Sequence, residues 1–227
     1  MTYQFIFLDL DDTILDFTKS QQLAFAKICH DLGVPYSETL LQDFIHYNAA
    51  LWKQLELGNL TKNALLERRF PDYFKPFGVH LDGTQTDQQF RDYLAEQVNL
   101  VDGAIDLLEQ LKHSGKRIFA ASNGVYDTQM KRLTNANLLH YFDDCFISEK
   151  LGTAKPNPAF FEKATATIDG FDKRHALMVG DSLTSDIKGA NNFGIDVCWL
   201  NPKNLPAPSE LTIQYNIQHL AQLHEII

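Results

Sequence analysis

Acidic and hydroxyl side chains follow an apolar segment near the start of the sequence. Residues 4–9 (QFIFLD) have the almost continuously apolar character of a buried parallel strand, and Asp9-Leu10-Asp11-Asp12-Thr13 closes that strand. In open α/β sheets, ligands bind beyond the carboxyl ends of the strands. We therefore predict that these carboxylates lie at the ligand-binding edge of a sheet. A loop with solvated acidic residues is the competing interpretation for this segment alone.

Three later segments also place polar side chains after predicted strands. They contribute a hydroxyl, an amide, an ammonium group and two carboxylates: Ser122, Asn123, Lys155, Asp181 and Asp186. Each has an ordinary explanation when taken alone, as a turn, an exposed lysine or a helix cap. Because parallel strands end at a common edge, we expect these groups to converge with those of the first segment.

The predicted convergence of Asp9 with Asp181 indicates a metal site. Two nearby buried carboxylates repel each other, which either raises a pKa or recruits a cation. Mg²⁺ suits oxygen ligands, and it binds through a few carboxylates together with water and substrate phosphate. The sequence therefore predicts Mg²⁺ as the cofactor.

The remaining groups at this edge suit a phosphate. Lys155 offers a positive charge that also balances the acidic residues. The hydroxyls of Thr13 and Ser122, with backbone N–H groups of the Asp11–Asp12 and Asn123–Gly124 turns, can hold phosphate oxygens. Phosphoryl transfer depends mainly on positioning and charge neutralisation, so we expect this chemistry at the site.

The rest of the sequence predicts the elements that position these groups. Four further short apolar segments, bounded by turn or charged residues, indicate buried strands. They cover residues 116–122, 142–148, 176–181 and 196–200. Amphipathic helical segments lie between them. This alternation predicts a Rossmann-like, doubly wound α/β fold with a parallel sheet covered on both sides.

Residues 15–99 differ from the rest, because they show helical periodicity and little strand signal. One predicted helical face carries Phe44, Tyr47, Leu51 and Leu55. We therefore expect an all-helical domain of residues 15–99, inserted into an α/β core that comprises residues 1–14 and 100–227.

The composition excludes several classes of protein. The chain has 227 residues, with 29 acidic against 20 basic side chains and a net charge of −9, which argues against nucleic-acid binding. No apolar stretch approaches the ~20 residues of a membrane span, and no basic segment marks a signal peptide. The three scattered cysteines fit a reducing compartment. We expect a cytoplasmic protein without membrane or nucleic-acid partners, as a monomer or weak homodimer.

The four polar segments together resemble the motifs of the haloacid dehalogenase superfamily of phosphohydrolases. DLDDT resembles the first motif, ASNG the second, AKPNP the third and GDSLTSD the fourth, over essentially the whole chain. The resemblance implies that Asp9 attacks phosphorus and forms an aspartyl phosphate. It also implies that Asp11 protonates the leaving oxygen and then deprotonates the hydrolytic water. An acid at this position favours a phosphatase or phosphomutase over a dehalogenase, since a halide leaves without a proton.

The resemblance further implies how the metal is held. Asp9, the backbone carbonyl of Asp11 and Asp181 would bind Mg²⁺, with Asp186 as an outer ligand or support. The helical insert resembles the C1-type cap of this superfamily. Such caps close over the substrate and exclude water.

The insert resembles, more specifically, that of the noncanonical pyrimidine nucleotidases of the superfamily. The similarity lies in NAALW at residues 48–52, in GNLT at residues 58–61 and in Arg69-Phe70. It implies hydrolysis of nucleoside 5′-monophosphates, especially deoxypyrimidine and modified pyrimidine forms. The candidate substrate contacts are Asn48, Trp52, Arg69 and Phe70. Packing inside the cap is the competing interpretation for Trp52 and Phe70, and a surface position is the competing interpretation for Arg69.

Two alternatives stay open at the level of sequence. Phosphoglycolate and sugar-phosphate phosphatases, and also phosphomutases, share the core motifs, including an acid equivalent to Asp11. A non-enzymatic, phospho-accepting switch is the remote alternative. Receiver domains place similar groups at a sheet edge, although they are shorter and have no cap. Asp12 stands where the superfamily commonly has glycine, and an acidic residue there suits the nucleotidase subgroup.

Overall fold

The computed structural model describes residues 3–227. Within this part of the chain, Thr18–Val98 form one compact unit. The residues up to Phe17 form a second unit together with Asn99–Ile227. We call these the helical unit and the α/β unit.

The boundary between the units differs slightly from the sequence-based one. Residues 15–17 and Asn99 belong to the α/β unit rather than to the helical part. Backbone pairing explains the difference. Leu15 forms an antiparallel bridge with Leu100, and the N–H of Asp16 donates to the carbonyl of Asn99 at 3.0 Å.

The helical unit is built from four helices, and no strand occurs among residues 18–98. The helices are α1 (Phe17–Asp31), α2 (Glu38–Glu56), α3 (Lys62–Phe74) and α4 (Gly83–Glu96). Side chains of Ser37, Thr61 and Asp82 accept hydrogen bonds from the first turns of α2, α3 and α4, which explains where these helices begin. Fully buried aromatic rings fill the interior, as the helical periodicity predicts: Phe25, Phe44, Phe70, Phe74 and Phe90.

The α/β unit contains a parallel sheet. Its strands are β1 (Phe5–Leu8), β2 (Arg117–Ser122), β3 (Asp144–Ile147), β4 (Ala176–Gly180), β5 (Asp196–Leu200) and β6 (Tyr215–Ile217). They lie in the order β3-β2-β1-β4-β5-β6, and each neighbouring pair is parallel. This is the Rossmann-like order with β1 in the middle, so the predicted fold class is confirmed.

Helices cover both faces of this sheet. They are α5 (Ala104–His113), α6 (Tyr126–Asn135), α7 (Ser148–Leu151), α8 (Ala159–Thr165) and α9 (Lys188–Phe193). Ile6 and Leu8 of β1 pack into the core that contains α5. Phe5 and Phe7 point the other way, into the core that contains α8 and α9. The central strand is thus buried on both faces.

Short helical turns complete the described elements. They are 3₁₀ turns at Lys75–Phe77, Leu139–Tyr141, Lys173–His175 and Leu220–Glu225, and a π-helical turn at Leu183–Ile187. None of the helices in the described chain combines the length and apolar character that crossing a bilayer requires.

Candidate active site

Three carboxylates converge beyond the ends of β1 and β4. Asp9 directly follows β1, where its N–H continues the ladder by donating to the carbonyl of Val179 at 2.9 Å. Asp181 directly follows β4, and Asp186 lies in the π-helical turn behind it. One carboxylate oxygen from each of the three acids lies within 4.8 Å of the others. The predicted meeting of Asp9 with Asp181 is confirmed.

A glycine and a capped turn bring Asp186 to the end of β4. The side chain of Ser182 caps the turn by accepting a hydrogen bond from the N–H of Ser185 at 3.2 Å. The N–H of Ser182 in turn donates to Oδ2 of Asp186 at 3.0 Å. A Cβ atom at Gly180 would lie only 2.3 Å from that same oxygen. Glycine is therefore required for the carboxylate to approach the strand so closely.

Lys155 is buried among these acids. Its Nζ donates to Oδ1 of Asp9 at 2.8 Å, to Oδ1 of Asp186 at 2.6 Å and to the carbonyl of Ala121. Its backbone is held by Asn123, whose side-chain amide donates to the Lys155 carbonyl at 2.8 Å and accepts from the Lys155 N–H at 2.9 Å. The Asn123 side chain, predicted among the phosphate-binding groups, thus holds the lysine loop in place.

The electrostatics of the cluster favour the binding of a cation. Burial raises the pKa of Asp9 to about 8; the Asp186 carboxylate adds to the shift, and Lys155 opposes it. Burial, with the carboxylates of Asp186 and Asp9, also raises the pKa of Asp181. Burial alone would lower the pKa of Lys155, but the same carboxylates outweigh it and hold that pKa above its ordinary value. An oxygen-only donor set with excess negative charge fits a hard divalent cation.

The turn after β1 holds a buried hydroxyl group. Thr13 is fully buried, and its Oγ1 has no hydrogen-bond partner among the described residues. Burying a hydroxyl without a partner costs about 1–3 kcal/mol, so this atom fits a site whose ligand supplies the partner. Asp12 has a φ of 55°, in the left-handed region that aspartate tolerates better than most residues. Its N–H donates to the carbonyl of Leu15 at 2.7 Å.

Ser122 ends β2 with its hydroxyl oxygen already accepting two hydrogen bonds. The donors are the N–H of Gly124 at 3.0 Å and Nε2 of Gln129 at 2.9 Å. A hydroxyl has two acceptor positions and one proton, so the proton is the part that can serve a bound oxyanion. The expectation that turn N–H groups hold phosphate is wrong for Asp12 and Gly124, because those N–H groups are used inside the protein.

Asp11 has two partners that the sequence did not reveal. Both lie on α6, where Arg132 bonds Oδ1 of Asp11 through one terminal nitrogen, and Gln129 donates to Oδ2 at 2.7 Å. They are three residues apart, so they share a face of the helix. The available signal was weak. A polar helix, YDTQMKRLTN, follows a site-forming strand, but nothing in its composition shows which polar side chains point inward.

The candidate substrate residues of the helical unit have mostly internal contacts. Arg69 is only 2% exposed, so the surface interpretation is wrong. Its guanidinium pairs with Asp87 and donates to Oδ1 of Asn48 at 3.0 Å. Asn48 also donates to the side chain of Gln21 at 2.7 Å. The buried carboxylate of Asp87 is the physical reason that an arginine is tolerated here. Substrate contact by Asn48 and Arg69 stays a prediction.

The two aromatic candidates of this unit differ from each other. Phe70 is fully buried and stacks on Phe44 with ring centroids 5.5 Å apart, as the packing interpretation predicts. Trp52 is half-buried on α2, and Nζ of Lys62 lies 6.0 Å from its ring centroid. Contact between either ring and a substrate stays a prediction.

Comparison with known proteins places this site in a family. A family model described as haloacid dehalogenase-like hydrolase matches residues 3–194. The chain is 40% identical over 217 residues to pyrimidine 5′-nucleotidase PynA of Streptococcus pneumoniae, covering 96% of this chain and 92% of that protein. It is 30% identical over 227 residues to pyrimidine 5′-nucleotidase YjjG of Escherichia coli, covering 100% and 99%.

Comparison with solved structures also finds a member of this family. The crystal structure of the HAD-hydrolase YfnB from Bacillus subtilis, bound to magnesium, matches with a TM-score of 0.93 and 35% identity. The match covers 100% of this chain and 99% of that one. The family model and these relatives together show that the chain belongs to the haloacid dehalogenase-like hydrolases.

Proposed function

We propose that this enzyme hydrolyses nucleoside 5′-monophosphates, with pyrimidine forms preferred, through an aspartyl-phosphate intermediate. The observation that carries the reaction class is the convergence of three carboxylates around Lys155 at the end of the sheet. The substrate class is supported by the names of two relatives, PynA and YjjG, both pyrimidine 5′-nucleotidases.

Asp9 is the nucleophile in this proposal. Lys155 holds its Oδ1 atom, and we assign the attack on phosphorus to Oδ2. As the Oδ2–P bond forms, the bond from phosphorus to the 5′ oxygen breaks, and Asp11 gives its proton to that oxygen. Water then attacks phosphorus and passes a proton to Asp11, while the Oδ2–P bond breaks. The products are a nucleoside and inorganic phosphate, and Asp9 is regenerated.

The phosphoryl group is held by side chains from three segments. Thr13 contributes its unpartnered Oγ1, and Ser122 contributes its hydroxyl proton. Lys155 supplies positive charge beside the nucleophile. Asn123 supports phosphate binding indirectly, because its side-chain amide holds the backbone of Lys155. Charge-assisted bonds of this kind suit the oxygens of a phosphate dianion.

We propose Mg²⁺ as the resident cation, held by Asp9, Asp181 and the backbone carbonyl of Asp11. When bound, it supplies the positive charge that lets an anionic carboxylate approach an anionic phosphate. Both oxygens of Asp186 are already engaged, by Lys155 and by the N–H of Ser182, so Asp186 supports the site. The magnesium-bound structure of YfnB is consistent with this choice.

The remaining proposals concern the setting of the reaction. We propose that the protein works in the cytoplasm, as a monomer or weak homodimer, on a small phosphomonoester and without a nucleic-acid partner. Its net charge of −9 and its three free cysteines support this setting.

The first experiment is a substrate panel with Mg²⁺ and with EDTA. The panel contains dUMP, dTMP, other nucleoside monophosphates, phosphoglycolate and hexose phosphates, with phosphate release and isomer formation both measured. We expect the highest kcat/KM for a pyrimidine monophosphate and no turnover in EDTA. Preference for a sugar phosphate would replace the substrate class, and isomer formation would indicate a mutase. If no ester releases phosphate with Mg²⁺ present, the proposed function is wrong.

Asp9→Asn tests the assignment of the nucleophile. The amide keeps the shape of the side chain but is a very poor nucleophile, so turnover should fall by several orders of magnitude. Asp106→Asn makes the same chemical change at an exposed position on α5 and should keep full activity. Near-normal turnover in Asp9→Asn would remove Asp9 from this role.

A further inference from the structure

A linked pair of side chains on α6 contacts Asp11. Gln129 and Arg132 lie one turn apart, and each bonds a different oxygen of the Asp11 carboxylate. Two bonds to two oxygens fix both the position and the plane of this group. The side chain of Asp11 is itself 32% exposed, so it is not held by burial alone.

Arg132 also orients Gln129. One of its terminal nitrogens donates to Oε1 of Gln129 at 2.9 Å, so Nε2 of the amide must face the other way. That Nε2 atom donates both to Oδ2 of Asp11 at 2.7 Å and to Oγ of Ser122 at 2.9 Å. A single amide therefore joins Asp11 to the end of β2.

The burial of this pair is difficult to explain by stability alone. Gln129 is 2% exposed and Arg132 is 3% exposed. Two nitrogens of Arg132, Nε and the second terminal nitrogen, have no hydrogen-bond partner in the described part of the chain. An apolar side chain of similar volume often stabilises a protein at least as well as a buried ion pair. The arginine is thus costly at this position, which points to a functional role.

We propose that Gln129 and Arg132 are positioning residues. They hold the Asp11 carboxyl group where it can exchange a proton with the leaving oxygen and with the attacking water, in fixed register with the hydroxyl of Ser122. This inference rests on the proposed function, and it adds two residues that act through Asp11 without touching the substrate.

The chemistry of the leaving group provides a specific test. A nucleoside leaves as a strongly basic alkoxide unless it receives a proton, whereas p-nitrophenolate leaves readily without one. Both esters form the same aspartyl phosphate, so only the first step, release of the alcohol or phenol, distinguishes them. A residue that acts only through Asp11 should therefore slow this step strongly for dUMP and little for p-nitrophenyl phosphate. A residue that merely supports the fold should slow the first step of both esters to the same extent.

The variants are Gln129→Met and Arg132→Met, with Asp11→Asn as the reference. For dUMP we expect kcat to fall about 100-fold in each, with little change in KM, since general acid–base catalysis contributes about 10²–10⁴-fold. For p-nitrophenyl phosphate we measure the pre-steady-state burst of p-nitrophenolate, which reports the first step alone, and we expect little loss in its rate. Combining Asp11→Asn with Gln129→Met should cause little further loss, because both changes remove the same contribution.

Two further variants keep the test decisive. Arg132→Lys retains a positive charge but only a point donor, so it should recover part of the dUMP turnover and also serves if Arg132→Met folds poorly. Lys131→Met removes a cation from the exposed side of the same helix and should leave both activities unchanged.

Three results would overturn the inference. One is full activity of Gln129→Met and Arg132→Met towards dUMP, and another is equal loss of the first-step rate on both esters, measured in single turnovers. Additive losses in the double variant would show that the pair acts independently of Asp11. In each case wild-type turnover of dUMP would leave the proposed function standing. If the wild-type enzyme hydrolyses neither ester with Mg²⁺ present, the proposed function fails and this inference fails with it.

Discussion

Lys155 shows how side-chain charge defines the site. Its ammonium group contacts Asp9 and Asp186, and the carboxylate of Asp181 lies beside them. When all three acids are ionised, one positive charge against three negative ones leaves two negative charges uncompensated in a buried space. A divalent cation balances that excess, whereas a monovalent one does not. The residue types alone therefore favour a divalent ion.

Removing the ammonium group should damage both stability and turnover. In Lys155→Met the buried carboxylates lose their counter-ion, which typically costs about 3–5 kcal/mol when one partner of a buried pair is deleted. We expect a loss of this size in urea unfolding with EDTA, together with loss of phosphate release. Lys188→Met changes an exposed lysine of the same unit and should alter neither. Unchanged stability of Lys155→Met would contradict the burial of its charge.

The raised pKa of Asp9 predicts a pH-dependent response to Mg²⁺. In the metal-free fold this pKa is about 8, above its unfolded value, so the stability contributed by the protonated acid is lost as pH rises through 8. A cation binds the ionised form and restores that loss. The increase in melting temperature on adding Mg²⁺ should therefore be larger at pH 8 than at pH 6.

Differential scanning fluorimetry with Mg²⁺ or EDTA at pH 6, 7 and 8 measures this difference. Asp181→Asn should lose most of the Mg²⁺ increment at every pH, because it removes a proposed ligand. An increment that is equal at all three values, or greatest at pH 6, would show that ionisation of these acids does not limit binding.

Residue type and position after a strand were enough to find part of the site. Asp9, Asp181 and Lys155 could be located because strand ends in a parallel sheet share one edge. Gln129 and Arg132 could not, because their role depends on the rotation of α6 about its axis. The apolar residues Tyr126, Met130 and Leu133 mark one face of this helix, but they do not show that polar side chains beside that face reach Asp11.

A buried polar network connects all four elements of the helical unit. It contains one or two residues from each of α1, α2, α3 and α4: Gln21, Asn48, Arg69, Asp87 and Arg91. Asp87 is its acidic centre, since it pairs with Arg69 and with Nε of Arg91 at 2.7 Å. A fully satisfied carboxylate at this point fixes how the helices are aligned.

Asp87→Asn should destabilise the helical unit. The change leaves the buried guanidinium of Arg69 without a counter-ion, at a cost of about 3–5 kcal/mol. Hydrogen exchange of residues 18–98 should report the loss as faster exchange. Asp72→Asn breaks an exposed pair with Arg68 and should cost about 0–1 kcal/mol. Equal exchange rates in the two variants would show that the network does not contribute to stability.

The sequence predicted the elements better than their detailed geometry. Apolar spacing located the helices and the buried strands, because both patterns reflect burial directly. The π-helical turn at Leu183–Ile187 was not predicted, since an apolar residue every three or four positions fits an α-helix equally well. Asp186 lies in this wider turn, so the position of its carboxylate could not be predicted from the sequence.

At the scale of the whole molecule, the thiols are protected by the fold. Burial raises the pKa of Cys29 to about 11 and of Cys198 to about 12. Burial and the neighbouring carboxylate of Asp144 raise the pKa of Cys145 to about 12. The reactive form of a thiol is the thiolate, so all three should react slowly at neutral pH.

Thiol labelling tests this protection. Native protein at pH 8 should react slowly with an aromatic disulfide reagent, and protein in urea should react rapidly at three thiols. Phosphate release should survive prolonged exposure to the reagent while the protein stays folded. Rapid labelling of the folded protein would show that one of the thiols is accessible and ionised.

Chain order alone could predict a parallel sheet but not the neighbours within it. Alternating strands and helices imply crossover connections. They do not state that β1 lies between β2 and β4, which the structure shows. The order is set by how the helices on each face pack over the strands, and that packing depends on side-chain shape across the whole unit.

The paired backbone at the junction of the two units has a wider consequence. The outgoing segment at Leu15 and the returning segment at Leu100 lie side by side as an antiparallel bridge. An 81-residue excursion therefore starts and finishes at almost the same point in space. A change in the length or identity of the inserted segment, Thr18–Val98, therefore leaves the strand order of the sheet unchanged. The helical unit can thus change during evolution while the catalytic residues of the α/β unit keep their positions.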